Sequence, residues 1–123
     1  MKPARAAWLV SWLCLAAPAL AAPRVDHRVV IEGMRFTPQV VQVKPGDTIT
    51  WENRDMVSHN VTAKAGPVRS GDLQPGQSWR YKVKPGASFD YVCTLHPLMT
   101  ARVELAAAGT QPHAPRDPPV EVK

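Results

Sequence analysis

Cysteine is scarce in this chain. Two occur among 123 residues, Cys14 and Cys93, which excludes the disulfide framework that holds many small exported domains together. Long apolar runs are lacking as well. The run from Ala6 to Leu15 is too short to span a bilayer comfortably, and its setting is that of a secretory signal, with Lys2 and Arg5 before it and the small-residue end Ala19-Leu20-Ala21 after it. Residues 1–21 are therefore expected to be removed on export, which places the mature protein in the periplasm. No membrane anchor is expected, because Leu13 stands before Cys14 where a lipid-attachment signal needs a small residue. A strong excess of one charge is missing too. Losing Lys2 and Arg5 lowers the formal net charge from +5 to +3. The basic residues are scattered, and Arg80, Lys82 and Lys84 alternate along one strand face as solvated residues do, so no nucleic-acid partner is implied.

A helical period of useful length is also absent. The dominant period between the signal and the last residues is two, the mark of half-buried strands. Ile49, Trp51 and Asn53 alternate with Thr48, Thr50 and Glu52; Trp79, Tyr81 and Val83 alternate with Ser78, Arg80, Lys82 and Lys84; Phe89, Tyr91 and Cys93 oppose Ser88 and Asp90. Further strands are expected at Arg28 to Glu32, Val40 to Val43, Asn60 to Thr62 and Ala101 to Leu105. Pro45-Gly46, Pro75-Gly76 and Pro85-Gly86 punctuate them, each in the order that a type II turn prefers. Seven or so short strands at this spacing imply an all-β sandwich or barrel, a single domain over residues 22–105. Residues 106–123, with Pro112, Pro115, Pro118 and Pro119 among polar neighbours, read as an extended, disordered tail.

Chemistry concentrates in Cys93-Thr94-Leu95-His96-Pro97-Leu98-Met99. Cleavage after residue 21 leaves Cys93 without a disulfide partner, and an unpaired thiol in an oxidising compartment needs a reason. Metal ligation supplies one. Two imidazoles, a thiolate and a weak axial thioether suit an ion that cycles between Cu(II) and Cu(I), and the heptapeptide holds three of those four donors. Of the other three histidines, His27, His59 and His113, His59 is best placed, after the strand Thr48 to Asn53 and the polar turn Arg54 to Ser58. Each donor taken alone has a plainer reading: a buried small hydrophobe, a surface histidine, a gap-filling methionine. A Cys93/His96 nucleophile pair is the competing chemistry, but no oxyanion-hole loop or orienting partner accompanies it. No catalysis is expected.

With these residues assembled, the chain resembles the cupredoxins, and among them the amicyanin type. The resemblance runs from about Val29 to Leu105 and rests on Gly46-Asp47-Thr48-Ile49-Thr50-Trp51, Asn53-Arg54, Ser58-His59-Asn60-Val61 and Asp90-Tyr91-Val92-Cys93-Thr94, then His96-Pro97-Leu98-Met99. Two residues between His96 and Met99 match the short amicyanin loop. The resemblance implies a Greek-key β-sandwich with one type 1 copper held by His59, Cys93, His96 and Met99. It implies a buried His59 and a His96 whose edge reaches the surface as the electron's exit. It also implies that Asn60 donates its backbone N–H to the Cys93 sulfur. Leu95 departs from the type, where proline stands, and restores a backbone N–H expected to give the sulfur a second hydrogen bond.

The function these readings imply is a one-electron carrier, expected as a monomer, that docks briefly with a dehydrogenase, a c-type cytochrome or a reductase. The docking face would be the apolar surface of Leu95, Pro97 and Leu98 around His96, extended by Met34, Met56 and Val57. The alternative is a copper-delivery or copper-sequestering protein, which would favour a Met- or His-rich cluster beyond the four donors; the sequence has none. A purely structural sandwich is disfavoured by the complete donor set.

Overall fold

The computed structural model describes Pro3, residues 15–20 and residues 22–107. The expected signal lies largely outside the described residues, as do Cys14, His113 and the tail beyond residue 107. Eight strands follow in order: β1 Asp26–Ile31, β2 Phe36–Thr37, β3 Val40–Val43, β4 Thr48–Asn53, β5 Thr62–Ala63, β6 Ser78–Lys82, β7 Phe89–Cys93 and β8 His96–Leu105. They form two four-stranded sheets, β2-β1-β4-β6 and β3-β8-β7-β5, the all-β sandwich that the alternation implies.

Side-chain alternation builds the core. Val29 and Ile31 from β1, Ile49 and Trp51 from β4, Tyr91 and Cys93 from β7 and Val103 from β8 are all fully buried, each on the inward face of its strand. Aromatic edges join the sheets: Trp51 donates its indole N–H to the Tyr91 hydroxyl at 3.1 Å, and Tyr91 meets Phe36 edge-on at 4.8 Å between centroids. The hydroxyl lies in apolar surroundings, and burial raises the Tyr91 pKa well above the ordinary phenol value. The Pro-Gly turns form as expected. Gly46 takes φ +90°, a conformation open to residues without a Cβ, and the Asp47 N–H closes its turn onto the Lys44 carbonyl at 3.0 Å.

Four elements differ from the sequence expectation. β1 runs Asp26–Ile31 instead of Arg28 to Glu32. β2, the two residues Phe36–Thr37, is too short to show a period. β5 lies at Thr62–Ala63 instead of Asn60 to Thr62, because Asn60 turns its side chain and N–H to the site described below. β8 starts at His96, five residues before Ala101, since the segment carrying the candidate ligands pairs directly with β7. β1 lies parallel to β4, and β3 parallel to β8. Parallel neighbours need long crossover connections, and these carry the chain between the sheets.

Candidate metal centre

Cys93 ends β7 on the face shared with Tyr91, so its sulfur enters the sandwich from a paired strand and is fully buried. Thr94 and Leu95 make the tight turn that follows, and Cys93 pairs across it with His96. This cross-strand pairing sets the imidazole beside the sulfur, with Nδ1 of His96 3.7 Å from Sγ. The register shifts between Val92 and Cys93: Val92 faces Thr100 while Cys93 faces His96. Such a bulge re-aims side chains. Here it turns Met99 inward, where it is 5% exposed, and leaves Leu98 outward and 98% exposed.

His59 arrives from the loop after β4. Its backbone is fixed by reciprocal bonds with Leu73, His59 N–H to Leu73 O at 3.1 Å and Leu73 N–H to His59 O at 2.7 Å. Buried Asn53 organises the approach: its amide donates to the carbonyls of Val57 and Leu73, both at 2.8 Å, and its oxygen accepts the Asp55 N–H at 3.0 Å. The His59 ring is fully buried. Its Nε2 lies 2.8 Å from Asp55 Oδ2 and its Nδ1 3.7 Å from the Cys93 sulfur. An ionised carboxylate only accepts, so Nε2 carries the proton and Nδ1 presents its lone pair to the site.

Asp55 is well suited to that task. Burial by itself would raise its pKa, but N–H groups of Met34 (3.0 Å) and Gly33 (2.7 Å), together with His59, outweigh burial and hold the carboxyl below the ordinary aspartate value. The carboxylate thus ties the β1–β2 loop to the His59 loop.

Asn60 joins the two donor segments. Its N–H points at the Cys93 sulfur at 3.4 Å, its side-chain oxygen accepts the Thr94 N–H at 3.0 Å, and its amide donates to Thr94 Oγ1 at 2.7 Å and Asp72 Oδ1 at 3.0 Å. The Asn60 N–H thus lies within hydrogen-bond reach of the sulfur. Among the described residues the sulfur's partners are the Asn60 N–H and the two imidazoles. Leu95 is the second residue of a tight turn and 47% exposed.

The donor atoms of His59, Cys93 and His96 lie within 4.8 Å of one another. Nitrogens about 2.0 Å and a sulfur about 2.3 Å from a common centre, the bond lengths of first-row metals, stand roughly 3.7 Å apart at trigonal angles. Both measured N···S separations are 3.7 Å, so the three donors fit one ion as they stand. Thiolate and imidazole together select copper or zinc over hard cations, and a nearby thioether favours copper. His27 is drawn elsewhere, to Asp47 at 2.9 Å.

Sequence reasoning missed Asp55 and its two backbone partners. A signal existed: a carboxylate four residues before the candidate histidine in a polar turn, where the other ring nitrogen of a metal ligand looks for an acceptor.

Comparison with known proteins agrees with this geometry. The model of the copper-binding proteins of the plastocyanin/azurin family matches residues 23–106. Amicyanin-alpha of Methylorubrum extorquens is 36% identical over 98 residues, 72% of this chain and 82% of its own. Amicyanin of Paracoccus denitrificans is 32% identical over 93 residues, covering 70% and 71%. A methylamine utilization protein, MauL, of Methylophilus methylotrophus is 34% identical and covers 71% of this chain and 53% of its own. Among solved structures, a methionine-to-alanine variant of amicyanin in its Cu(I) form superimposes with a TM-score of 0.62 at 29% identity, over 66% of this chain and 82% of that one.

Proposed function

The chain belongs to the plastocyanin/azurin family of copper-binding proteins, and from that footing we propose that it is a periplasmic blue-copper electron carrier working between two larger redox proteins. His59, Cys93, His96 and Met99 would hold the copper, which when bound would supply a one-electron couple, Cu(II)/Cu(I). The observation that carries the reading is the convergence of both Nδ1 atoms at 3.7 Å from one buried sulfur. Asp55 and Asn60 fix the donors, and the strand pairing of Cys93 with His96 keeps them in place through a change of oxidation state. Four protein donors leave no open position for a substrate, which supports a carrier rather than an enzyme.

His96 is the half-buried donor, and its ring is the electron's route out. The turn and strand that carry it expose Leu95, about half, and Leu98, 98%, and the loops bearing Met34, Met56 and Val57 expose further apolar side chains. A small apolar face suits a partner that must dock and leave quickly. One relative's name ties it to methylamine utilization, which makes an amine-oxidising dehydrogenase the first donor to test, with a c-type cytochrome or a reductase as acceptor. No helix among the described residues is long and apolar enough to cross a membrane.

Visible absorption tests the reading. Copper-loaded protein is expected to show an intense band near roughly 600 nm from the Cys–Cu(II) bond, bleached by ascorbate and restored by a mild oxidant, and Cys93→Ser abolishes it. A colourless product that gives up copper readily to a chelator overturns the carrier in favour of copper delivery.

A further inference from the structure

A buried metal centre needs a path by which the ion enters, and most of the surround of this one is closed. His59 and Cys93 are fully buried, and Asn60, which joins their segments, is 4% exposed. On the Met99 side a groove of about 410 Å³ opens to the surface. It lies where β2 of one sheet approaches the start of β8 of the other, a seam that no strand pairing crosses among the described residues. Met34, Phe36, Leu98 and Met99 form its apolar wall, and Arg35 places a cation in it.

Two of these wall residues are thioethers, and they are graded in depth. Met34 is 45% exposed, whereas Met99 is 5% exposed and is the axial donor candidate. Thioether sulfur is a soft donor that takes Cu(I) in preference to hard cations. Met34 is also firmly placed. Its backbone stands at φ +58°, a conformation costly to a residue with a Cβ, and its N–H is held by Asp55 Oδ2 at 3.0 Å. The same carboxylate oxygen lies 2.8 Å from His59 Nε2, so the mouth of the groove and one imidazole donor are fixed to a common point. Arg35 repels a hydrated divalent ion about twice as strongly as a monovalent one, which favours Cu(I) over Cu(II) on this path.

We infer that the groove of Met34 and Met99 is the port through which the protein acquires Cu(I), with Met34 as a landing ligand that is not part of the final donor set. Met34 takes the ion from its carrier by exchange of one ligand for another, and Met99 draws it inward to His96, His59 and Cys93. No electron moves in these steps; the Cys93 thiol gives its proton to water as the thiolate binds. The inference rests on the copper centre itself and not on the electron-carrier reading.

The test uses the full chain freed of metal and mixed without oxygen with Cu(I) as its tetrakis(acetonitrile) complex. Uptake is stopped at intervals with a Cu(I) chelator, and protein-bound copper is counted by native mass spectrometry. Met34→Leu keeps the apolar bulk of the side chain and removes the sulfur. It should slow Cu(I) uptake about fivefold or more, as loss of a soft donor on the path requires, while the final copper content and the affinity in chelator competition stay as in the unaltered chain. Met56→Leu, at a methionine 90% exposed and outside the groove, should leave the rate unchanged, and uptake of Cu(II) should not depend on Met34. Three results overturn the port: Cu(I) uptake by Met34→Leu at the unaltered rate, slowing that is equal for Cu(I) and Cu(II), or a fall in final affinity, which would make Met34 a support of the centre. An unaltered chain that takes up no copper would overturn the metal centre, and the port with it.

Discussion

Replacing Asp55 with alanine removes a carboxylate that holds three donors at once: Gly33 N–H at 2.7 Å, Met34 N–H at 3.0 Å and His59 Nε2 at 2.8 Å. Two separable effects follow. The His59 ring loses the acceptor that fixes its tautomer, and loss of such a partner lowers metal affinity by about 10–100-fold, or roughly 1.4–2.7 kcal/mol. In the metal-free protein the Nε2 proton is left without a partner in a ring that is fully buried, which costs about 1–3 kcal/mol of stability. Asp55→Asn keeps one accepting oxygen but turns an amide toward a donor, so it should fall between wild type and alanine on both scales. Competition titration with a copper chelator measures the first effect and urea unfolding of the metal-free protein the second. The reasoning is refuted if Asp55→Ala binds copper within about twofold of wild type, because His59 would then be held by its backbone pairing with Leu73 alone.

Three further outcomes are expected. Burial would raise the Asp47 carboxyl, but His27 and the N–H groups of Lys44 and Val25 hold it below the ordinary value; a depressed carboxyl stabilises the fold above its unfolded pKa of about 3.9 and loses that contribution as pH falls through the lower folded value. Asp47→Asn should therefore flatten the acid limb of a plot of urea midpoint against pH, and an unchanged limb would assign that limb to other groups. Trp51→Phe removes the N–H bond to the buried Tyr91 hydroxyl and part of a fully buried ring, at a cost of about 2–3 kcal/mol in urea unfolding, while the blue band stays. Leu95→Pro should leave the reduction potential where it is, since the Leu95 N–H is not among the sulfur's hydrogen-bond partners; a clear drop on voltammetry would show that the sulfur does draw on it.

What could be read in the sequence is what repeats locally. Alternation placed Ile49, Trp51, Tyr91 and Cys93 inward because a strand's two faces differ by one residue, and all four are buried. The donor segment was legible for the same reason: Cys93, His96 and Met99 are close in the chain, and strand pairing keeps them close in space. Illegible were the contacts made by chain ends of different elements. Asp55 acts through backbone groups of Gly33 and Met34, more than twenty residues earlier, and Leu73 pins His59 from a loop with no strand of its own. For Leu95, the sequence shows that an N–H is present, while the sulfur's hydrogen-bond partners in the structure are the Asn60 N–H and the two imidazoles.

That division explains why this fold suits electron transfer. A carrier needs donors that barely move between the two oxidation states, and the cheapest way to fix a side chain is to fix the backbone pair beneath it. Cys93 and His96 oppose each other across β7 and β8, and His59 is bridged to Leu73 and clasped by Asp55. Asn60 then bonds both Cys93 and Thr94, so the two donor segments shift together or not at all. No buried polar side-chain atom among the described residues lacks a hydrogen-bond partner; a fully satisfied polar network gains from every bond, while loosening any one strands a buried group. The donors are therefore held by the protein's own hydrogen bonds, and the energy that would otherwise order them at each electron transfer has already been spent in folding.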